Sequence, residues 1–81
     1  MHLHIGKFDG RCDGILNLRK NAIGFFAFVI EGAFEVQNRL LHPRDGLALS
    51  NVKQIEFEAL SNDAILLIIE VQAMSYATKV H

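Results

Sequence analysis

Apolar and polar residues alternate along much of this chain, with the period of two that is typical of a β-strand. The clearest case is residues 54–59 (QIEFEA), where Ile55, Phe57 and Ala59 fall on one side and polar side chains on the other. Near the start, Leu3 and Ile5 alternate with histidines in the same way. Both segments are therefore predicted to be half-buried strands.

Similar short runs recur about every 8 to 12 positions, and Gly, Asn, Asp or Pro residues separate them. The other predicted strands contain Leu16 and Leu18, residues 25–30, residues 33–37, Leu40 and Leu41, Leu47 and Leu49, and residues 64–71. This spacing predicts an all-β domain of about eight short antiparallel strands.

Two of the predicted turns have recognisable residues. Asn38 can adopt the left-handed conformation that a tight hairpin requires. Residues 42–46 (HPRDG) place Pro43 near the first corner of a turn and Gly46 near its exit.

Two runs are apolar on both faces. Residues 64–71 (AILLIIEV) are predicted to form a strand that is buried on both sides. In residues 25–30 (FFAFVI) one face carries Phe25, Ala27 and Val29, and the other carries Phe26, Phe28 and Ile30.

One face of residues 25–30 can fill the interior, but the other requires cover. A small monomer would expose a phenylalanine patch there, which favours association. We therefore predict a homodimer, with Phe25, Phe26 and Phe28 as candidate interface residues. The pattern leaves open which face forms the interface, and it also fits a strand enclosed between two sheets of a monomer.

A length of 81 residues is enough for one domain, which we place at residues 1–71. Beyond that the alternation dissolves, and residues 72–81 are left as an unassigned C-terminal tail. An apolar fraction of 51% is high for so small a body, because a small body has few interior positions. Composition therefore also favours association.

Charge and targeting signals limit the class of partner and the compartment. The net charge is −1 and no basic cluster is present, so neither nucleic acid nor a membrane surface is an expected partner. The first ten residues (MHLHIGKFDG) lack the features of a secretory signal, which predicts a cytoplasmic protein. Cys12 is the only cysteine and cannot form an intrachain disulfide.

Several features in order resemble the cupin domains of the pirin and bacterial quercetinase group, in particular their C-terminal cupin half. An apolar strand ends in Glu31-Gly32, and a short strand leads to a Pro-containing corner at residues 40–46. An alternating strand at 55–59 then precedes the apolar run at 64–71. The resemblance covers most of residues 3–71 and implies a double-stranded β-helix, a small jelly-roll barrel whose interior can hold a metal or a small ligand.

The resemblance also implies where a metal would bind. Metal-binding cupins place a His-x-His and a Glu before the glycine that corresponds to Gly32, and a further His after the Pro-Gly corner. In this chain those positions fall near residues 18–21, Phe25 and Ala48. None of these residues can hold a cation, because iron, manganese and zinc need imidazole, carboxylate or thiolate ligands. The resemblance therefore implies a non-catalytic cupin without a metal or another cofactor.

Other residues could still contribute a metal site. His2 and His4 share one strand face about 7 Å apart, and His42 could add a third imidazole only if its turn folds back. Glu70, at the end of the last apolar run, could project inward, where burial would raise its pKa, but a strand end that reaches water is the simpler interpretation. The simpler interpretation of His2, His4 and His42 is that they are exposed histidines on a terminal strand and a turn.

Glu56 and Glu58 are two residues apart on one predicted strand face. Paired carboxylates at this spacing can perform acid and base chemistry. A solvated strand face that also includes Gln54 is the simpler interpretation, and we favour it.

The sequence thus favours a non-catalytic cupin-like domain that acts by homodimerisation or by binding a partner or a small ligand. The alternative is a metal-dependent cupin enzyme of the quercetinase (dioxygenase) type that uses His2 and His4 with His42 or Glu70. A third hypothesis is a barrel that holds an apolar molecule in a cavity. Its predicted lining is Phe26, Phe28, Ile55, Phe57 and Ile68.

Overall fold

A computed structural model describes residues 2–20 and 22–72 of the chain. The described residues form strands and turns only, and no helix that could cross a membrane is among them. The strands are β1 (His2–Phe8), β2 (Asp13–Asn17), β3 (Ala22–Glu31), β4 (Phe34–Val36), β5 (Arg39–Leu41), β6 (Gly46–Ser50), β7 (Gln54–Ala59) and β8 (Ala64–Gln72).

The eight strands form two antiparallel four-stranded sheets that confirm the predicted fold class. The first sheet has the order β1-β8-β3-β6, and the second has the order β2-β7-β4-β5. Each sheet combines strands from both ends of the chain, which is the connectivity of a jelly roll. Strand β8 extends to Gln72, and the rest of the predicted tail, residues 73–81, lies outside the described residues.

The inner faces of the two sheets form the core. Every second residue along β3, β4 and β8 is buried, as period-two alternation requires. Three phenylalanine rings pack together, with Phe34 fully buried and Phe8 and Phe57 partly buried: the ring centroid of Phe8 lies 6.0 Å from that of Phe34 and 5.2 Å from that of Phe57. The buried apolar residues are Phe25, Ala27, Val29, Phe34, Val36, Leu41, Ile55, Ala59, Ala64, Leu66 and Ile68.

Two turns have the predicted geometry. Gln37 and Asn38 both have positive φ angles (50° and 66°), which is the arrangement of a two-residue type I′ hairpin between β4 and β5. Pro43 lies at the first corner of the next turn, where the amide of Asp45 donates to the carbonyl of His42 over 3.0 Å. Arg44, at the second corner, has a φ of 74°, a conformation that glycine adopts more easily.

Gly32 is required by both conformation and space. Its φ is 76°, and a Cβ atom there would lie 2.5 Å from the hydroxyl oxygen of Ser61 and 2.7 Å from the Cβ of Ala64. That hydroxyl accepts a hydrogen bond from the amide of Ala33 over 3.1 Å. The close approach ties the β3–β4 connection to the start of β8.

The structure reverses the predicted sidedness of β1. Leu3 and Ile5 are 61% and 62% exposed, whereas His4 is half-buried and faces the interior. Strand β8 also differs from its prediction, because its outward-facing side chains, such as Leu67, are only half-buried. A strand with apolar residues on both faces does not reveal which face the fold covers.

The packing of these three phenylalanine rings gives a stability prediction. Phe34→Ala removes a fully buried ring that packs against Phe8 and Phe57, so we expect the free energy of unfolding to fall by about 3 to 5 kcal/mol. The exposed Leu40 supplies the control, and Leu40→Ala should change stability by less than about 0.5 kcal/mol. Urea denaturation measures both changes, and equal losses would contradict this description of the core.

Candidate functional site

Glu70 is the one charged residue in the interior of the described chain. Its side chain is only 1% exposed. The alternation that turns Leu66 and Ile68 inward continues to Glu70, because successive inward positions of a strand are two residues apart. The interpretation of Glu70 as a strand end that reaches water is therefore wrong.

The Glu70 carboxylate has two hydrogen-bond partners from different parts of the chain. Oε2 lies 2.6 Å from Nε2 of His4 in β1, and Oε1 accepts a hydrogen bond from the backbone amide of Arg19 over 3.0 Å. Arg19 belongs to the connection between β2 and β3, which passes from one sheet to the other. Glu70 thereby joins β1, β8 and this connection.

The same contacts determine the charge of Glu70. Burial by itself raises the pKa of a carboxyl group, but the Arg19 amide and His4 outweigh burial and hold the pKa of Glu70 below its ordinary value. Glu70 is therefore ionised at neutral pH. The expectation of a raised pKa is wrong, because the hydrogen bonds lower the pKa more than burial raises it. An ionised carboxylate can only accept, so Nε2 of His4 carries the proton of their hydrogen bond.

His4 lines an open cleft of about 210 Å³ between β1 and β2, the facing edge strands of the two sheets. Apart from His4, the cleft is lined by glycine and apolar residues: Ile5, Gly6, Phe8, Gly14, Ile15, Leu16, Phe57, Leu66 and Ile68. Two residues of the predicted cavity, Phe57 and Ile68, lie here. Phe26 and Phe28 face outward instead, and Ile55 is fully buried in the core.

A glycine lies on each of the two edge strands that line the cleft. A Cβ atom at Gly6 would lie 2.8 Å from the ring of Phe8, and one at Gly14 would lie 2.8 Å from the ring of Phe57. Each phenylalanine ring therefore lies over a glycine of an edge strand. The sequence shows the glycines, but only the paired sheets show that the rings occupy their side-chain space.

The candidate metal ligands are only partly brought together. His2 is opposite Glu70 in the β1–β8 register but is exposed, and only His4 bonds to Glu70. His42 lies in the β5–β6 turn, where Nδ1 is 3.7 Å from Asp45 Oδ2. Within residues 2–20 and 22–72, no group of three or more His, Cys, Asp or Glu side chains could hold a metal ion.

Three of the positions that the resemblance implies for metal binding carry no ligand atoms in the part of the chain that the structure describes. Phe25 is a core residue, and Leu18 packs against the core. Ala48 lies on β6, where its methyl group is exposed. These residues do not fit the iron, manganese or zinc of metal-binding cupins.

Glu56 and Glu58 lie on the outer face of the second sheet. Glu58 is directly opposite Asp13 on one side and Glu35 on the other. Arg11 approaches Glu58 only to 3.9 Å and is itself exposed. Like charges directly opposite each other on neighbouring strands repel, and water weakens that repulsion, so this arrangement favours the interpretation of a solvated strand face.

The first sheet has an uninterrupted apolar surface on its outer side, which we call the outer apolar face. The β-sheet register aligns its side chains in two rows that each cross all four strands. One row is Leu3, Ile69, Phe26 and Ala48, and the other is Ile5, Leu67, Phe28 and Gly46. The rings of Phe26 and Phe28 stack with centroids 6.4 Å apart.

Of the three candidate interface residues, two belong to the outer apolar face. Phe26 is 38% exposed and Phe28 is half-buried beside it, whereas Phe25 is 2% exposed and is a core residue. Phe25 therefore cannot contact a partner, because its side chain points between the sheets. Sequence reasoning missed the contributions of β1 and β8 to this surface because it assigned those side chains to the interior.

The charge state of Glu70 predicts how stability depends on pH. Its folded pKa is lowered, so the unfolded chain takes up the proton first as the pH falls. The stabilisation is fully present above the ordinary glutamate pKa of about 4.3 and is lost as the pH falls through the lower folded pKa. Glu70→Gln removes this contribution.

We therefore expect the wild type to be more stable than Glu70→Gln at pH 7, with the difference shrinking from about pH 5 downward. Urea denaturation at a series of pH values and one fixed protein concentration measures it. Glu31→Gln, the same chemical change at an exposed position, is the matched control. A difference that stays constant or grows as the pH falls would mean that the Glu70 pKa is not lowered.

Comparison with known proteins agrees with the fold and with the sequence resemblance. The sequence model of one family, described as the quercetinase C-terminal cupin domain, matches residues 1–71. Searches of curated proteins and of solved structures each gave no significant match. The family match covers nearly the whole chain, and the strand order is that of a jelly roll. The chain therefore belongs to the family of quercetinase C-terminal cupin domains.

Proposed function

We propose that this chain is a non-catalytic cupin domain that acts by forming a homodimer through the outer apolar face. The observation that carries the proposal is the pair of apolar rows that cross the whole first sheet without a charged residue. Charge begins beyond these rows, with Lys7 opposite Ile65 at one end. Apolar patches of this extent on small proteins usually mark an interface.

The outer apolar face has the size of the centre of an interface. Its two rows cross four strands about 4.8 Å apart, which makes them about 20 Å wide, and they lie two residues, or about 7 Å, apart along each strand. A typical stable interface buries about 800 Å² on each partner, so the residues around the two rows supply the rest of the surface that a dimer needs.

A second copy of the chain suits this face better than a charged partner. In a two-fold dimer each surface meets its own equivalent, and a face without charge brings no like charges together. A groove of about 310 Å³ runs beside Phe26, with Ile23, Ala48, Ser50 and Val71 along it. A row of the partner's side chains can pack into this groove.

The side chains at three of the implied metal positions support the non-catalytic part of the proposal. Phe25, Leu18 and Ala48 have side chains made of carbon only, whereas iron, manganese and zinc bind nitrogen, oxygen or sulfur ligands. The half-buried His4 is also engaged, because its Nε2 bonds to Glu70. What the domain contributes under this proposal is an association surface.

The dimer is tested by placing charge on the outer apolar face. We expect the wild type to have the mass of two 9.1 kDa chains at micromolar concentration, and the Phe26→Glu/Phe28→Glu variant to have the mass of one, because carboxylates cannot be buried against apolar side chains without a partner. Size-exclusion chromatography with light scattering measures both masses.

Leu40→Glu is the control, because Leu40 is an exposed apolar residue that belongs to the second sheet, and this variant should remain dimeric. Circular dichroism checks that each variant retains its strands. A wild type that is monomeric under these conditions overturns the proposal. So does a Phe26→Glu/Phe28→Glu variant that stays dimeric, or dissociation caused by Leu40→Glu alone.

The non-catalytic assignment is tested by metal content. Protein purified without a histidine tag should contain well under one equivalent of iron, nickel or zinc. His2→Ala/His4→Ala and His42→Ala should contain as little as the wild type. One equivalent of metal in the wild type that disappears in His2→Ala/His4→Ala, whether or not it also disappears in His42→Ala, would instead favour a metal-dependent enzyme.

A further inference from the structure

We infer that the cleft between β1 and β2 is a binding site for a small molecule with a single apolar ring and one hydrogen-bond donor. His4, held by Glu70, is the group that recognises the donor. This inference does not rest on the proposed dimer, because the cleft opens at the edges of the two sheets and its floor faces the interior.

The cleft has the composition of a ligand site. Binding sites for small molecules are mostly apolar concavities with a few fixed polar groups. Here Leu66 and Ile68 form part of an apolar wall, and His4 supplies the polar group. A volume of about 210 Å³ is somewhat larger than the cavity of about 150 Å³ that can hold benzene. The cleft therefore has room for one ring.

Aromatic side chains are positioned to contact such a ring. Phe8 and Phe57 are 5.2 Å apart at an interplanar angle of 61°, and both line the cleft. A ring of the ligand can add to this pair by edge-to-face or offset contact. Gly6 and Gly14 leave room for these two rings, because a Cβ atom at either glycine would lie 2.8 Å from the ring beside it.

The Glu70 carboxylate decides what His4 can recognise. Nε2 of His4 donates a hydrogen bond to Glu70, so Nδ1 is an acceptor when the ring carries a single N–H. Within residues 2–20 and 22–72, Nδ1 of His4 has no hydrogen-bond partner. A ligand that brings an O–H or N–H group satisfies this acceptor, whereas a ligand with only acceptor atoms does not.

Arg19 makes this arrangement testable. In Glu70→Gln the backbone amide of Arg19 still needs an acceptor, which keeps the amide oxygen of Gln at the Oε1 position. The NH₂ group of Gln then faces Nε2 of His4 and donates to it. Nε2 becomes an acceptor, so the hydrogen moves to Nδ1 and the preference of the site for a ligand donor is lost.

Three probes of similar size separate the possibilities. Phenol carries a donor, benzonitrile carries only an acceptor, and toluene carries neither. In the full chain at pH 8, we expect phenol to bind about five to ten times more tightly than toluene or benzonitrile, as one net hydrogen bond gives. NMR titration at millimolar ligand concentration measures this, with the amide signals of Gly6 and Gly14 as reporters.

Two variants test the role of His4. His4→Phe should bind phenol and toluene equally well, because the acceptor is gone. In Glu70→Gln, benzonitrile should gain about fivefold over toluene, because Nδ1 now donates. A general loss of structure would weaken all three probes together and could not reverse a preference between them. Amide spectra of each variant in the absence of ligand establish that it is folded.

Several results would overturn the inference. One is that phenol produces no saturable shift at Gly6 or Gly14 up to its solubility limit. Another is that phenol shifts signals at Phe26 and Ala48 on the outer apolar face instead. A phenol preference that survives His4→Phe, or a Glu70→Gln variant that ranks the probes as the wild type does, would show that the His4–Glu70 pair does not select the ligand.

Discussion

An ionised carboxylate enclosed by apolar strands must be held by hydrogen-bond donors, and this constraint organises one end of the molecule. Glu70 obtains those donors from His4 and from the backbone of Arg19. These two hydrogen bonds fix the edge strand β1 and the β2–β3 connection relative to strand β8. It also fixes the tautomer of His4. Structure and recognition therefore depend on the same three groups.

The two sheets differ in what their outer faces require. Asp13, Glu58 and Glu35 lie side by side across the second sheet, where their mutual repulsion is tolerated only in water. The first sheet presents apolar rows that gain free energy when they are covered. A molecule with this asymmetry has one side suited to solvent and another suited to a partner. This difference favours association through the first sheet and not through the second.

The family fold forms here with apolar side chains at three of the positions where the sequence resemblance implies metal ligands. Phe25 and Leu18 contribute to the core, and Ala48 contributes to the outer apolar face. A jelly roll needs inward apolar side chains and tight turns, and neither requirement depends on a metal. The inter-sheet cleft lies instead at the open edges, between β1 and β2, where His4 and Glu70 meet.

The sequence by itself determined the strands and the turns, because period-two alternation and residues such as Asn38 and Pro43 act locally. It also identified His4 and Glu70 as separate candidates. Only the tertiary structure decided that Glu70 is buried and ionised, that Leu3 and Ile5 face outward, and that Phe25 is a core residue. In a strand with apolar residues on both faces, sidedness depends on where the second sheet lies. A pKa likewise depends on donors that are distant in the chain, since Glu70 and His4 are 66 residues apart.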